Sequence, residues 1–145
     1  MRDPLETLIK VRRRACDEAQ RALVDALVLE DRAEHACQAI ERKIAQETEA
    51  ATDVNGSDAM VEAFVAWLPA ARENLAHSRH LLSGRQAETM RCRAELSACR
   101  TALETVETLV EHRKEAARRA VDLLYARDLE DRPPRRDENN EPTSN

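Results

Sequence analysis

The sequence predicts an all-α protein: a long antiparallel two-helix coiled-coil hairpin followed by a disordered C-terminal tail. Three observations predict it. Charged residues make up 35% of the 145, aromatics only 2%, and there are two glycines. That composition, led by Ala, Glu, Arg and Leu, suits long helices and not strands, which favour β-branched and aromatic residues. Apolar residues also recur at alternating spacings of three and four over two long stretches. Finally, a polar segment carrying Asn55-Gly56 separates those stretches.

The first helix starts at a recognisable signal. Asp3 is a good N-cap, Pro4 suits the first helical position, and Glu6 follows the cap by three residues, as in a capping box. From Ile9 the spacing reaches Arg12, Cys16, Ala19, Leu23, Ala26, Glu30, Ala33, Cys37, Ile40, Ile44, Glu47 and Ala51. Most are apolar, and the period of 3.5 is that of a left-handed coiled-coil seam. Residues 52–58 break the pattern. Asn55-Gly56 tolerates positive φ, and Ser57 or Asp58 can cap a second helix.

From Val61 the spacing resumes through Phe64, Leu68, Ala71, Leu75, Ser78, Leu82, Arg85, Thr89, Cys92, Leu96, Cys99, Leu103, Val106 and Val110, then Arg113, Ala117, Ala120 and Leu124. Pro69 lies inside this run and predicts a kink or a break. Pro133-Pro134 ends the helix. The helical domain is therefore expected over 4–131, with the first helix at about 4–52, the turn at 53–58 and the second helix at about 59–131. The polar, proline-bearing residues 132–145 are expected to be disordered.

A short connection makes the helices antiparallel neighbours. With the turn at 55–56, facing residues have numbers summing to roughly 111 on straight-hairpin geometry. Ile44 then meets Leu68, Leu23 meets Thr89, and Glu30 and Arg85 come close enough to pair across the seam. The second helix outruns the first by roughly 20 residues, which leaves Val106, Val110, Ala117, Ala120, Val121 and Leu124 in want of a cover. An Ala- and Cys-rich seam buries little area per layer, so a third surface is implied, either another protein or a second copy.

Several function classes are excluded at this level. A net charge of −5 with interspersed signs argues against nucleic acid, which calls for a basic excess. No apolar run is long enough to cross a bilayer, and Met1–Arg14 lacks the features of a secretory signal; the expected compartment is the cytoplasm. Cys16, Cys37, Cys92 and Cys99 form no C-x-x-C pair and fall on the seams, where small buried hydrophobes belong. His77 and His80, with His35 and Cys37 opposite, allow a zinc site to be drawn, but Asp31 and Glu34 opposite the same histidines give a plain ion-pair reading. No catalytic triad, phosphate-binding loop or metalloprotease motif occurs, and a straight hairpin offers no concave pocket. The expectation is a non-enzyme with no cofactor and no metal.

Two patches stand out. Lys10, Arg12, Arg13 and Arg14 crowd the start of the first helix, and Arg100 is expected to face them. This is either a solvated end or an end that docks into an acidic ring or cleft. Phe64, Val65, Trp67 and Leu68 form an apolar cluster near the bend. It is either local packing around Pro69 or an anchor for a partner.

The chain resembles the FliJ family of flagellar export proteins and their YscO-like relatives in virulence type III secretion. The resemblance spans about residues 4–125. It rests on the Leu5-x-x-Leu8-x-x-Val11-Arg12-Arg13 opening, the two long helices, the polar turn, and the run from Phe64 through Leu68 to Ala71. It implies a non-enzymatic stalk or adaptor at the cytoplasmic face of the inner membrane, reaching the membrane only through partners. It also implies insertion of the end bearing both termini into a hexameric export ATPase, and the basic residues Lys10, Arg12, Arg13, Arg14 and Arg100 are the candidates for that contact. Early helix 2 would meet the cytoplasmic part of the membrane export gate, with Phe64, Leu68 and Ala71 matching the family's stripe, Leu75 at its next position and Trp67 beside it as candidates, and export chaperones are candidate further partners. Leu75 is less polar than the family pattern, and the seam buries the same stripe. Opening of the hairpin near Pro69, or exposure of Trp67, would reconcile the two. The rival readings are a homo-oligomeric coiled-coil scaffold and a small export chaperone.

Overall fold

In a computed structural model the chain consists of two helices, α1 (Pro4–Thr52) and α2 (Asp58–Glu130), with no strand among the described residues. Those residues are 3–53 and 55–135. Most of the tail expected to be disordered, from residue 136 on, lies outside them; Pro133–Arg135 carries no helix. The described chain divides into two compact units, Met1–Glu104 and Thr105–Asn145.

The helix starts follow from their caps. Asp3 is extended (φ −62°, ψ 125°), and its Oδ1 accepts the Leu5 N–H at 3.0 Å, satisfying one of the donors a helix leaves unpaired at its first turn. At α2 the Ser57 carbonyl accepts from Met60 and Val61, and its hydroxyl also accepts from Met60 N–H at 3.4 Å. Between the helices, Gly56 N–H donates to the Asp53 carbonyl at 2.9 Å, and Asn55 N–H donates to Asp53 Oδ1 at 3.2 Å, an Asx turn. The positive φ that Asn55-Gly56 would tolerate is not used: no described residue, Gly56 included, has one. Glycine serves a different purpose here. A Cβ at 56 would sit 3.1 Å from the Asp53 carbonyl oxygen, so the residue permits a close backbone approach.

Pro69 does not interrupt α2, which runs on through it. The missing N–H removes one helical bond, and the turns on either side carry the helix across the gap.

In the first unit, burial follows the 3.5-residue count. Ala26, Ala33, Cys37, Ala71, Cys92 and Leu96 are buried. Ile9, Cys16, Ala19, Leu23, Glu30, Ile40, Ile44, Ala51, Phe64, Leu68, Leu75, Ser78, Leu82, Arg85, Cys99 and Leu103 are half-buried. Three seam positions depart from it. Arg12, Glu47 and Val61 are exposed. Arg12 and Glu47 are long charged side chains near a helix end, whose heads swing into water, and Val61 lies in the first turn of α2. Thr89 is the buried polar member at 3% exposure; its hydroxyl donates to the Arg85 carbonyl of its own helix at 3.1 Å, so nothing is left unsatisfied.

The axial register differs from the straight-hairpin count. Cys37 Sγ lies 3.1 Å from Ser78 Oγ, a sum of 115, and Arg79 Nη2 lies 3.0 Å from Glu41 Oε1, a sum of 120; the expectation was 111. Part of the reason is side-chain direction. Every Cα–Cβ bond leans toward its own helix N-terminus, so facing antiparallel side chains meet about one residue late on each rod. The turn supplies the rest of the offset. At this register Glu30 and Arg85 share a layer and are both half-buried, yet no ion pair joins them. Nor do Asp31 and Glu34 pair with His80 and His77. Asp31 pairs with His35 one turn along on α1, Nδ1 to Oδ1 at 3.4 Å, because an i,i+4 partner on the same helix is closer than one on the facing rod.

In the second unit, Val106 is buried at 9% exposure and Val110 is half-buried, contrary to the expectation that both would want a cover. From Glu111 on every described residue is exposed. Val121, Leu123, Leu124 and Tyr125 are 63–66% exposed and Leu129 50%.

Candidate functional site

Two surface regions carry the expected site residues. The first is the basic run near the start of α1. Lys10, Arg12, Arg13 and Arg14 are consecutive or nearly so on one helix, and all four are exposed. Consecutive helical residues fan out by about 100° each, so the run forms a positive collar around the helix. Arg100 is exposed too, but it lines a groove with Leu23, Leu27, Leu96 and Glu104. None of the four collar residues lines that groove.

The second region lies early in α2. The Phe64 and Trp67 rings are 6.1 Å apart between centroids and tilted by 40°, an ordinary offset aromatic pair. Both rings are half-buried, as are Leu68 and Leu75, while Ala71 is 5% exposed. Phe64 and Trp67 wall a shallow cavity of about 350 Å³ with Met60, Ala63, Ala50, Ala51, Lys43 and Glu47. The sequence reading expected no concavity and missed Met60, Lys43 and Glu47. An antiparallel register sets them around the aromatic pair, and only the i,i+4 spacing of Met60 and Phe64 was visible beforehand. Met60, Val61 and Val65 are exposed at 50%, 42% and 62%, so several apolar side chains of early α2 reach the surface. Ala71 is inaccessible to a partner while the hairpin stays zipped.

Charge on the middle of α2 is organised within the helix. Arg91 Nε donates to Glu88 Oε2 at 2.9 Å, and its terminal nitrogens reach Glu88 and Glu95. Hydrogen bonding from Arg91 holds the Glu88 carboxyl below the usual range, and the same pair raises Arg91. Burial, aided by the nearby Glu88 charge, pushes the Cys92 thiol up. Among the described residues no three His, Cys, Asp or Glu side chains are grouped to hold a metal ion, and no helix is long and apolar enough to cross a membrane.

Comparison with known proteins gives one positive result. A family model described as "Flagellar FliJ protein" matches residues 1–124. No curated protein matches the chain, and no solved structure does. The family match takes in both surface regions and most of both helices. With 124 of 145 residues matched on a helical hairpin, the chain belongs to the FliJ family of flagellar proteins and is related to flagellar export.

Proposed function

We propose that this protein is a non-enzymatic stalk of a flagellar export apparatus, working at the cytoplasmic face of the inner membrane. It inserts into a hexameric export ATPase and links that ring to the cytoplasmic part of the export gate. The observation that carries this reading is the exposed collar of Lys10, Arg12, Arg13 and Arg14 on a chain of this family. Four cations around one helix suit an end that sits inside a ring, where it meets partner groups on every side. A patch meant for a flat partner would lie on one face.

The gate-facing role falls to early α2. Because Ala71 is buried, contact there is made through Trp67, Val65 and Met60, with Phe64 behind them. Export chaperones are further candidates for the same apolar face.

Binding of the purified protein to its export ATPase, at fixed moderate salt, tests the first half. Reversing Arg12, Arg13 and Arg14 to Glu is expected to weaken binding by tenfold or more, a loss of about 1.4 kcal/mol or greater. Wild-type binding by the triple variant would remove the collar from the interface. A second reading, a homo-oligomeric scaffold, is favoured by the exposed Val121, Leu123, Leu124, Tyr125 and Leu129. Sedimentation over a wide concentration range separates the two: a tight dimer or tetramer supports the scaffold, and a concentration-independent monomer supports the stalk.

A further inference from the structure

The seam holds four cysteines, all present as thiols, and their positions are not equivalent. Cys37 faces Ser78, Sγ to Oγ 3.1 Å. Three heptads toward the N-terminus from Cys37 lies Cys16, and three heptads toward the C-terminus from Ser78 lies Cys99. A step of whole heptads returns each antiparallel helix to the same seam position. The register that sets 37 opposite 78 therefore places 16 and 99 in one layer as well. Both of these residues are half-buried, in contrast to the buried Cys37 and Cys92. The same register sets Leu23 opposite Cys92, so 16 and 99 are the one cysteine couple that shares a layer.

We propose that Cys16 and Cys99 are a cross-helix dithiol that peroxide converts to a disulfide, stapling α1 to α2. In the reduced state the two act as small seam hydrophobes. The oxidation balances with hydrogen peroxide as the oxidant. One thiolate attacks a peroxide oxygen, giving a sulfenic acid and one water. The second thiol then attacks the sulfenic sulfur, releasing a second water as the S–S bond forms. Two thiols lose two hydrogens and two electrons, and the peroxide is reduced to two waters.

Geometry favours this couple. A contact like that of Cys37 and Ser78, at 3.1 Å, needs to shorten by about 1 Å to reach an S–S bond of about 2.05 Å. Partial exposure admits a small oxidant, whereas Cys92 is 3% exposed and its thiolate is disfavoured by burial. The bond would close a loop of more than eighty residues, the kind of loop that most constrains the unfolded chain. A two-helix rod, with little core per layer, gains more than a globule would from such a clamp.

The test uses the full chain, reduced and then treated with hydrogen peroxide. Expected are loss of two of the four thiols, a faster monomer band on a non-reducing gel, and a Cys16–Cys99 crosslinked peptide in mass spectrometry. The midpoint of thermal unfolding, followed by circular dichroism, should rise by about 10 °C and fall back with dithiothreitol. The Cys37→Ser/Cys92→Ser double variant should keep the whole response, and Cys16→Ser should abolish it. Retention of four thiols, crosslinks between chains instead of within one, or a response that survives Cys16→Ser would each overturn the proposal.

Discussion

Replacing Leu96 with Ala removes one of the few large side chains that the seam buries; it is 5% exposed, and the other buried residues of its unit are Ala, Cys and Thr89. Burying a leucine side chain contributes about 1.5–3 kcal/mol, and a cavity left behind adds to the loss, for a usual range of about 2–5 kcal/mol. Two rods can close on a small gap more readily than a three-dimensional core can. The expected loss is therefore at the low end, about 2.5 kcal/mol, or roughly 10 °C in the thermal midpoint for a chain of this size. Urea and thermal unfolding followed by circular dichroism at the helical band measure it. Met90→Ala, which truncates a side chain 72% exposed on the same helix, is the control and should cost less than about 0.5 kcal/mol. If Leu96→Ala costs no more than the Met90 control, the seam does not hold the hairpin together, and the heptad argument fails with it.

Thr89→Val should be neutral or stabilising by up to about 1 kcal/mol in the same assay. The hydroxyl bonds only a carbonyl of its own helix, and an apolar isostere leaves no buried group unpaired. Gly56→Ala should change stability by less than about 1 kcal/mol. The gain from a stiffer unfolded chain opposes the 3.1 Å approach to the Asp53 oxygen, and a φ that is not positive adds no strain; a larger loss would point to a left-handed residue. Arg91→Gln should return the Glu88 carboxyl toward the ordinary range of about 4.3, read by carboxyl NMR titration. Since the folded pKa is depressed, the pair's contribution is full above the unfolded pKa and disappears as pH falls through the folded one; the variant should lose that acid-side slope. An unmoved titration would show that Arg91 does not hold the carboxyl.

The sequence by itself determined which face of each helix is buried. Ala26, Ala33, Cys37, Ala71, Cys92 and Leu96 all lie on the counted stripe, and all are buried. The 3.5-residue period is a property of one helix, so one chain's pattern suffices to read it. The Asp3 cap was legible for the same reason, since its partner is two residues away. The resemblance in the opening and in early α2 was legible as well, and the family match over residues 1–124 agrees with it. What only the tertiary structure decided is how two such faces meet. The offset between rods depends on the lean of the side chains and the path of the turn, and neither has a signature in the spacing. That offset pairs Cys37 with Ser78 and Glu41 with Arg79, brings the half-buried Glu30 and Arg85 into one layer, and gathers Lys43, Glu47 and Met60 around the aromatic pair. Periodicity fixes the angle at which a residue points; the height at which it meets its partner is a relation between two helices, and only the folded hairpin sets it.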